Sequence, residues 1–120
     1  MEHYGMTMKL LETVCGTLKT ANMTRSEQHF CEQWLAKSAC YMRTLRFNNL
    51  EPSAEALATL GSKLGYYANE LARRDDDTCA YWSDQLTKLR GETQSALELR
   101  VRARWQSVCA DKSKQHEKSL

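Results

Sequence analysis

The 120-residue chain contains no isoleucine, only three valines (Val14, Val101, Val108) and a single proline, Pro52. β-Branched residues pack well on a pleated sheet, whereas Leu, Ala and Met lose little entropy in a helix. The apolar content here is carried mainly by the second group, which excludes a sheet-built core and predicts an all-α fold. Only five glycines occur, and none forms a G-x-G-x-x-G, P-loop or G-x-S-x-G pattern. Long apolar runs are missing too. No stretch approaches the roughly 20 residues that span a bilayer, so no membrane association is expected. The N-terminus "MEHYGMTMKLLETVCG" lacks the basic region and apolar run of a signal peptide.

Charge of one sign is not in excess. The formal net charge is +2. Residues 1–77 carry nine basic and ten acidic side chains, and residues 78–120 carry eight and five. That mild C-terminal excess falls short of a typical DNA-binding balance. The five cysteines (Cys15, Cys31, Cys40, Cys79, Cys109) are odd in number and include no close pairs, which fits reduced thiols in the cytoplasm.

Metal and catalytic chemistry find little support. His29, Cys31 and Cys40 are near in sequence, but on one helix positions two apart point about 160° apart. They cannot surround one zinc ion while that helix is intact, and the paired short spacings of structural zinc sites are absent. No Glu-x-x-His pair of a carboxylate-bridged metal bundle occurs. A cysteine nucleophile would have only His29 as a central base. The expectation is therefore no metal, no cofactor and no catalytic residue.

What is present is helical periodicity. Tyr4, Met8, Leu11, Cys15 and Leu18 step by three and four and predict a first helix over Glu2–Thr20. After "ANMT", Thr24 and Glu27 form a candidate capping box. It opens a second helix with Cys31, Trp34, Leu35, Met42 and Leu45 on one face, widened by Phe30, Ala36, Cys40 and Tyr41. "FNNLEP" ends it, because Asn favours turns and the residue before proline avoids the helical region.

A third helix, about Pro52 to Arg74, carries a heptad seam of Leu57, Leu60, Leu64, Tyr67 and Leu71. Beside it runs a stripe of small residues: Ala54, Ala58, Gly61, Gly65, Ala68 and Ala72. Such a stripe forms a shallow groove that lets another helix approach closely. Each glycine costs about 1 kcal/mol relative to alanine inside a helix, so a compensating contact is expected. Close packing within the domain and a homodimer seam both supply one. In "RRDDDT", arginines suit a helix C-terminus and aspartates the next N-terminus. A divalent-cation site is the alternative reading, without EF-hand spacing to support it.

The fourth helix begins near Thr78 and shows Cys79, Trp82, Leu86, Leu89, Leu97, Val101, Trp105 and Val108 in one stripe. Within it "LELRVRARW" alternates like a strand, yet no other segment offers a partner strand, and Leu, Glu, Arg and Ala favour a helix. Through Ala110 this helix is roughly 50 Å long, against roughly 30 Å for each of the others. If straight, it outruns them and exposes Trp105 among Arg100, Arg102 and Arg104, residue types enriched at binding hot spots. If Gly91 bends it back, the same residues complete the core.

The expected architecture is a four-helix bundle with a longer C-terminal helix. Residues 1–111 form one domain, and residues 112–120 a polar disordered tail. The expected function is a small non-enzymatic protein-binding domain, an adaptor, inhibitor or regulator, whose partner is another protein or a second copy. A nucleic-acid-binding regulator using the C-terminal arginines is the alternative. A solvated helix face accounts for those arginines as well.

Overall fold

The computed structural model of the chain describes residues 2–119, with side chains for residues 7–109. It is an all-helical bundle with a longer C-terminal helix: α1 Glu2–Thr20, α2 Glu27–Gln33, α3 Tyr41–Asn48, α4 Ala54–Ala72 and α5 Asp77–Ser119. Among the described residues there is no strand. Tyr4 and the tail of residues 112–120 lie outside the residues whose side chains are described.

α1 has the expected bounds, and its apolar stripe is buried as Met8, Leu11, Val14, Cys15 and Leu18. Asn22, in the left-handed region at φ 60, ends it. The amides of Asn22 and Met23 return to the carbonyls of Lys19 and Leu18 at 3.1 and 2.8 Å, so two otherwise orphaned acceptors are satisfied. Asn49 repeats the device after α3, with the Leu50 amide on the Leu45 carbonyl at 2.9 Å.

The second expected helix is divided in two. Ala36 takes a left-handed φ of 54, and the chain between α2 and α3 is irregular. Nothing in "LAKSAC" predicts the break; tertiary packing imposes it. Phe30, Cys31, Trp34 and Leu35 on one side of the break are buried, as are Met42 and Leu45 on the other, so both pieces keep their apolar faces in one core. Ala36 and Cys40, expected on the apolar arc, are exposed. The N-terminal cap is also shifted. Ser26, not Thr24, caps α2 by accepting from the His29 amide at 3.0 Å. The buried Thr24 hydroxyl instead meets His29 Nδ1 at 2.6 Å.

Charged side chains tie the short helices down. The Arg46 guanidinium on α3 donates to both Glu27 carboxylate oxygens on α2 and, at 3.1 Å, to Glu12 on α1. Those contacts, first of all the hydrogen bond to Glu27, hold Arg46 well above its ordinary pKa. The Ser53 amide donates to the Tyr41 hydroxyl at 2.9 Å, fastening α3 to the start of α4. Lys63 on α4 donates to the Gln33 carbonyl at the end of α2, with its ammonium 5.2 Å from the centre of the Trp34 ring.

α4 and α5 form a long antiparallel pair. Gly61 faces Thr93 and Gln94, Gly65 lies under the Arg90 side chain, and Ser83 Oγ donates to the Ala68 carbonyl at 2.8 Å. Small residues thus stand on both helices, Gly61, Gly65 and Ala68 against Ser83 and Thr93. This lets an α5 hydroxyl reach the α4 backbone. Thr93 is wholly buried and returns its hydroxyl to the Leu89 carbonyl at 2.8 Å. The junction before α5 is closed by Asp76, whose side chain accepts from the Thr78 amide at 3.0 Å.

Candidate interface on the projecting helix

α5 runs unbroken through Gly91 and stays beside α4 on both sides of it, from Ser83 at Ala68 to Arg100 at Glu51. The Arg100–Glu51 ion pair, 3.2 Å long, stands just before the first turn of α4. Beyond it α5 has left the bundle. Every side chain from Val101 to Cys109 is exposed, over about 13 Å of helix at 1.5 Å per residue.

The four residues singled out on this helix share the projecting end but differ in their ties. Arg100 is held by Glu51, and Arg102 reaches Glu98 one turn back at 3.9 Å. Arg104 has no ion-pair partner among the described residues. Trp105 is 50% exposed, a large apolar side chain standing in water.

Val101 and Val108, which the periodicity places in a core stripe with Leu86 and Leu89, are exposed as well. The stripe is continuous, but the bundle that covers it stops near Leu97, which is only partly buried. Val101, Trp105 and Val108 fall at i, i+4 and i+7 and lie on one side of the helix. Leu99 is exposed on another side. Leu50, next to Glu51 in the α3–α4 connection, and Phe47, 86% exposed in the last turn of α3, present further apolar surface.

The small-residue stripe on α4 is split between environments. Gly61 and Ala68 are buried and Gly65 partly so, all three against α5 of the same chain. Ala54 is partly buried, and Ala58 and Ala72 are exposed.

Elsewhere, an open depression of about 450 Å³ lies near the other end of α4, lined by Met23, Tyr66, Tyr67, Leu71, Arg74 and Trp82 among others. Its one acidic side chain, Glu70, pairs with Arg73 at 3.2 Å. Among the described residues no group of three His, Cys, Asp or Glu side chains could hold a metal ion. His29 is engaged with Thr24, Cys31 is buried and Cys40 is exposed. Burial pushes the thiols of Cys15 and Cys31 up, which suppresses the thiolate that a nucleophile needs. No helix among the described residues is long and apolar enough to cross a membrane.

No curated protein and no solved structure matches the chain. One family model does, over residues 11–106, a span that takes in both the small-residue stripe and the projecting arginines with Trp105. The chain belongs to that family, described as a family of unknown function (DUF6626).

Proposed function

We propose that this protein is a non-enzymatic protein-binding domain, an adaptor, inhibitor or regulator, that engages its partner through the projecting end of α5. The observation that carries this reading is the exposure of Trp105 between Val101 and Val108 on a helix that has outrun its bundle. Removing that apolar stripe from water gains roughly 25 cal/mol per Å², and Trp and Arg are the types that most often dominate binding energy. Arg100 is tied to Glu51 at 3.2 Å and Arg102 lies loosely beside Glu98 at 3.9 Å, so Arg104 alone of the three has no ion-pair partner among the described residues. That favours a protein partner over a phosphate backbone, which is held by several uncommitted cations. Five unpaired cysteines support a reducing compartment, the cytoplasm, as its setting.

The test is affinity purification of the tagged protein from its native cells, with and without nuclease, beside the same experiment on Trp105→Ala. A stoichiometric partner that survives nuclease and is lost with the variant is the expected result. Material that disappears with nuclease assigns the arginines to nucleic acid instead.

A further inference from the structure

Resting on the protein-binding reading above, we propose that the projecting end of α5 receives an acidic amphipathic helix of another protein. Its apolar face lies on Val101, Trp105 and Val108, and its carboxylates meet Arg104 and Arg102.

Geometry and charge select this occupant. At 100° per residue, Val101, Trp105 and Val108 fill a narrow arc of α5, with Arg104 at one edge and Arg102 at the other. Guanidinium groups thus border the stripe on both sides, with one carboxylate, Glu98, a turn behind Arg102; the net positive border is the complement of an apolar helix face with flanking carboxylates. Arg104 has no ion-pair partner among the described residues, and the Arg102–Glu98 contact is long at 3.9 Å. Both are available to an incoming acid.

A second copy fits less well. From Leu97 to Leu120 the chain carries six basic and three acidic side chains, so pairing two such ends sets net positive charge against net positive charge. A nucleic-acid duplex, contacted largely through its phosphates, would leave Val101, Trp105 and Val108 in water.

The experiment selects phage-displayed helical peptides of about 14 residues, roughly 21 Å long, on the full chain. Leucine is fixed along one face and the flanking positions are randomised, with counter-selection on Trp105→Ala. Expected are peptides whose flanks hold Asp and Glu in several-fold excess over Lys and Arg. The best of them should lose about tenfold in affinity on Arg104→Glu, the scale of a close interfacial charge pair. Its Glu→Lys counterpart should recover affinity on that variant.

Neutral or basic flanks overturn the proposal, as does the absence of any Trp105-dependent peptide. So does tighter Trp105-dependent binding of duplex DNA or of phosphatidylserine vesicles. A dimer of the chain alone in sedimentation equilibrium, abolished by Trp105→Ala, overturns it in favour of a second copy. Trp105-dependent peptides with neutral flanks would defeat the acidic assignment alone. Recovery of no nuclease-resistant partner with the unaltered chain in the purification above would defeat the protein-binding reading itself.

Discussion

Arg100 and Glu51, 3.2 Å apart, mark the boundary between two regimes of one helix. On the N-terminal side of this pair α5 shares a core with α4. On its C-terminal side the described side chains face solvent.

Trp105 and Trp34 therefore answer the same substitution differently. Trp34 is buried beside Tyr67, their ring centres 5.2 Å apart, and Trp34→Ala should cost about 3–5 kcal/mol. Trp105→Ala should cost no more than about 0.5 kcal/mol, the scale of surface changes. Chemical denaturation of both variants measures the contrast; a large loss at Trp105 would place it in a core.

The two buried-side glycines of α4 should diverge as well. A Cβ at Gly61 would meet Thr93 and Gln94 at 3.8 Å, an ordinary contact. Gly61→Ala should stabilise by about 0.5–1 kcal/mol through helix propensity, and Gly61→Leu should destabilise by about 1–3 kcal/mol through overpacking. A Cβ at Gly65 would lie 2.7 Å from Arg90 Nε, so Gly65→Ala should gain less, and gain fully only beside Arg90→Ala. Urea melts of the four-membered cycle read the coupling.

Ala36 occupies a conformation that L-residues other than Asn and Asp seldom adopt, at a cost of roughly 1–2 kcal/mol. Ala36→Gly relieves that strain and should raise stability by about 0.5–1 kcal/mol, since glycine also loses more chain entropy on folding. The shift in thermal midpoint checks it; a drop would mean the Ala36 methyl contributes packing.

Arg46 joins three helices through two carboxylates. All three side chains are partly exposed, so Arg46→Met should cost only about 1 kcal/mol. Arg46→Lys should recover less than half, because an ammonium cannot make the forked contact to Glu27. Raising salt to about 0.5 M should shrink the difference if charge attraction is its source.

Cys15 and Cys31 set an alkaline limit. Burial raises both thiols in the folded state, so the folded chain holds these protons more tightly than the unfolded one. The associated stability is intact below the ordinary thiol range near 8.5 and falls as pH rises through it. Denaturation midpoints should be level from about pH 7 to 8 and decline above about 9, less steeply in a Cys15→Ala, Cys31→Ala variant. Thiol reagents at neutral pH should modify Cys40 and Cys109 quickly and spare the buried pair.

Much of this fold is legible in spacing alone because a helix buries one stripe and the stripe names the helix. α1 and the leucine seam of α4 read directly. The division of α2 from α3 does not, since Ala36, Lys37 and Ala39 favour the helix that tertiary packing denies them. The cap at Ser26 was masked by Thr24, an equally good capping residue whose hydroxyl is taken by His29. On α5 the sequence marks an apolar stripe through Val108 but not where its cover ends. That depends on the length of α4 and on the path through Gly91, which the contacts at Ala68 and Glu51 fix from either side.

A stretch of helix exposed on every described side chain, as Val101 to Cys109 is, keeps its own equilibrium. Short isolated helical segments are marginal in water, so amide protons beyond Arg100 should exchange through local fraying, while those between Ser83 and Leu97 wait for global opening. Whatever docks on Trp105 adds an ordering cost to its binding and converts fast-exchanging amides to slow ones. The projecting end thus reports its own occupancy, residue by residue, in a deuterium-exchange experiment.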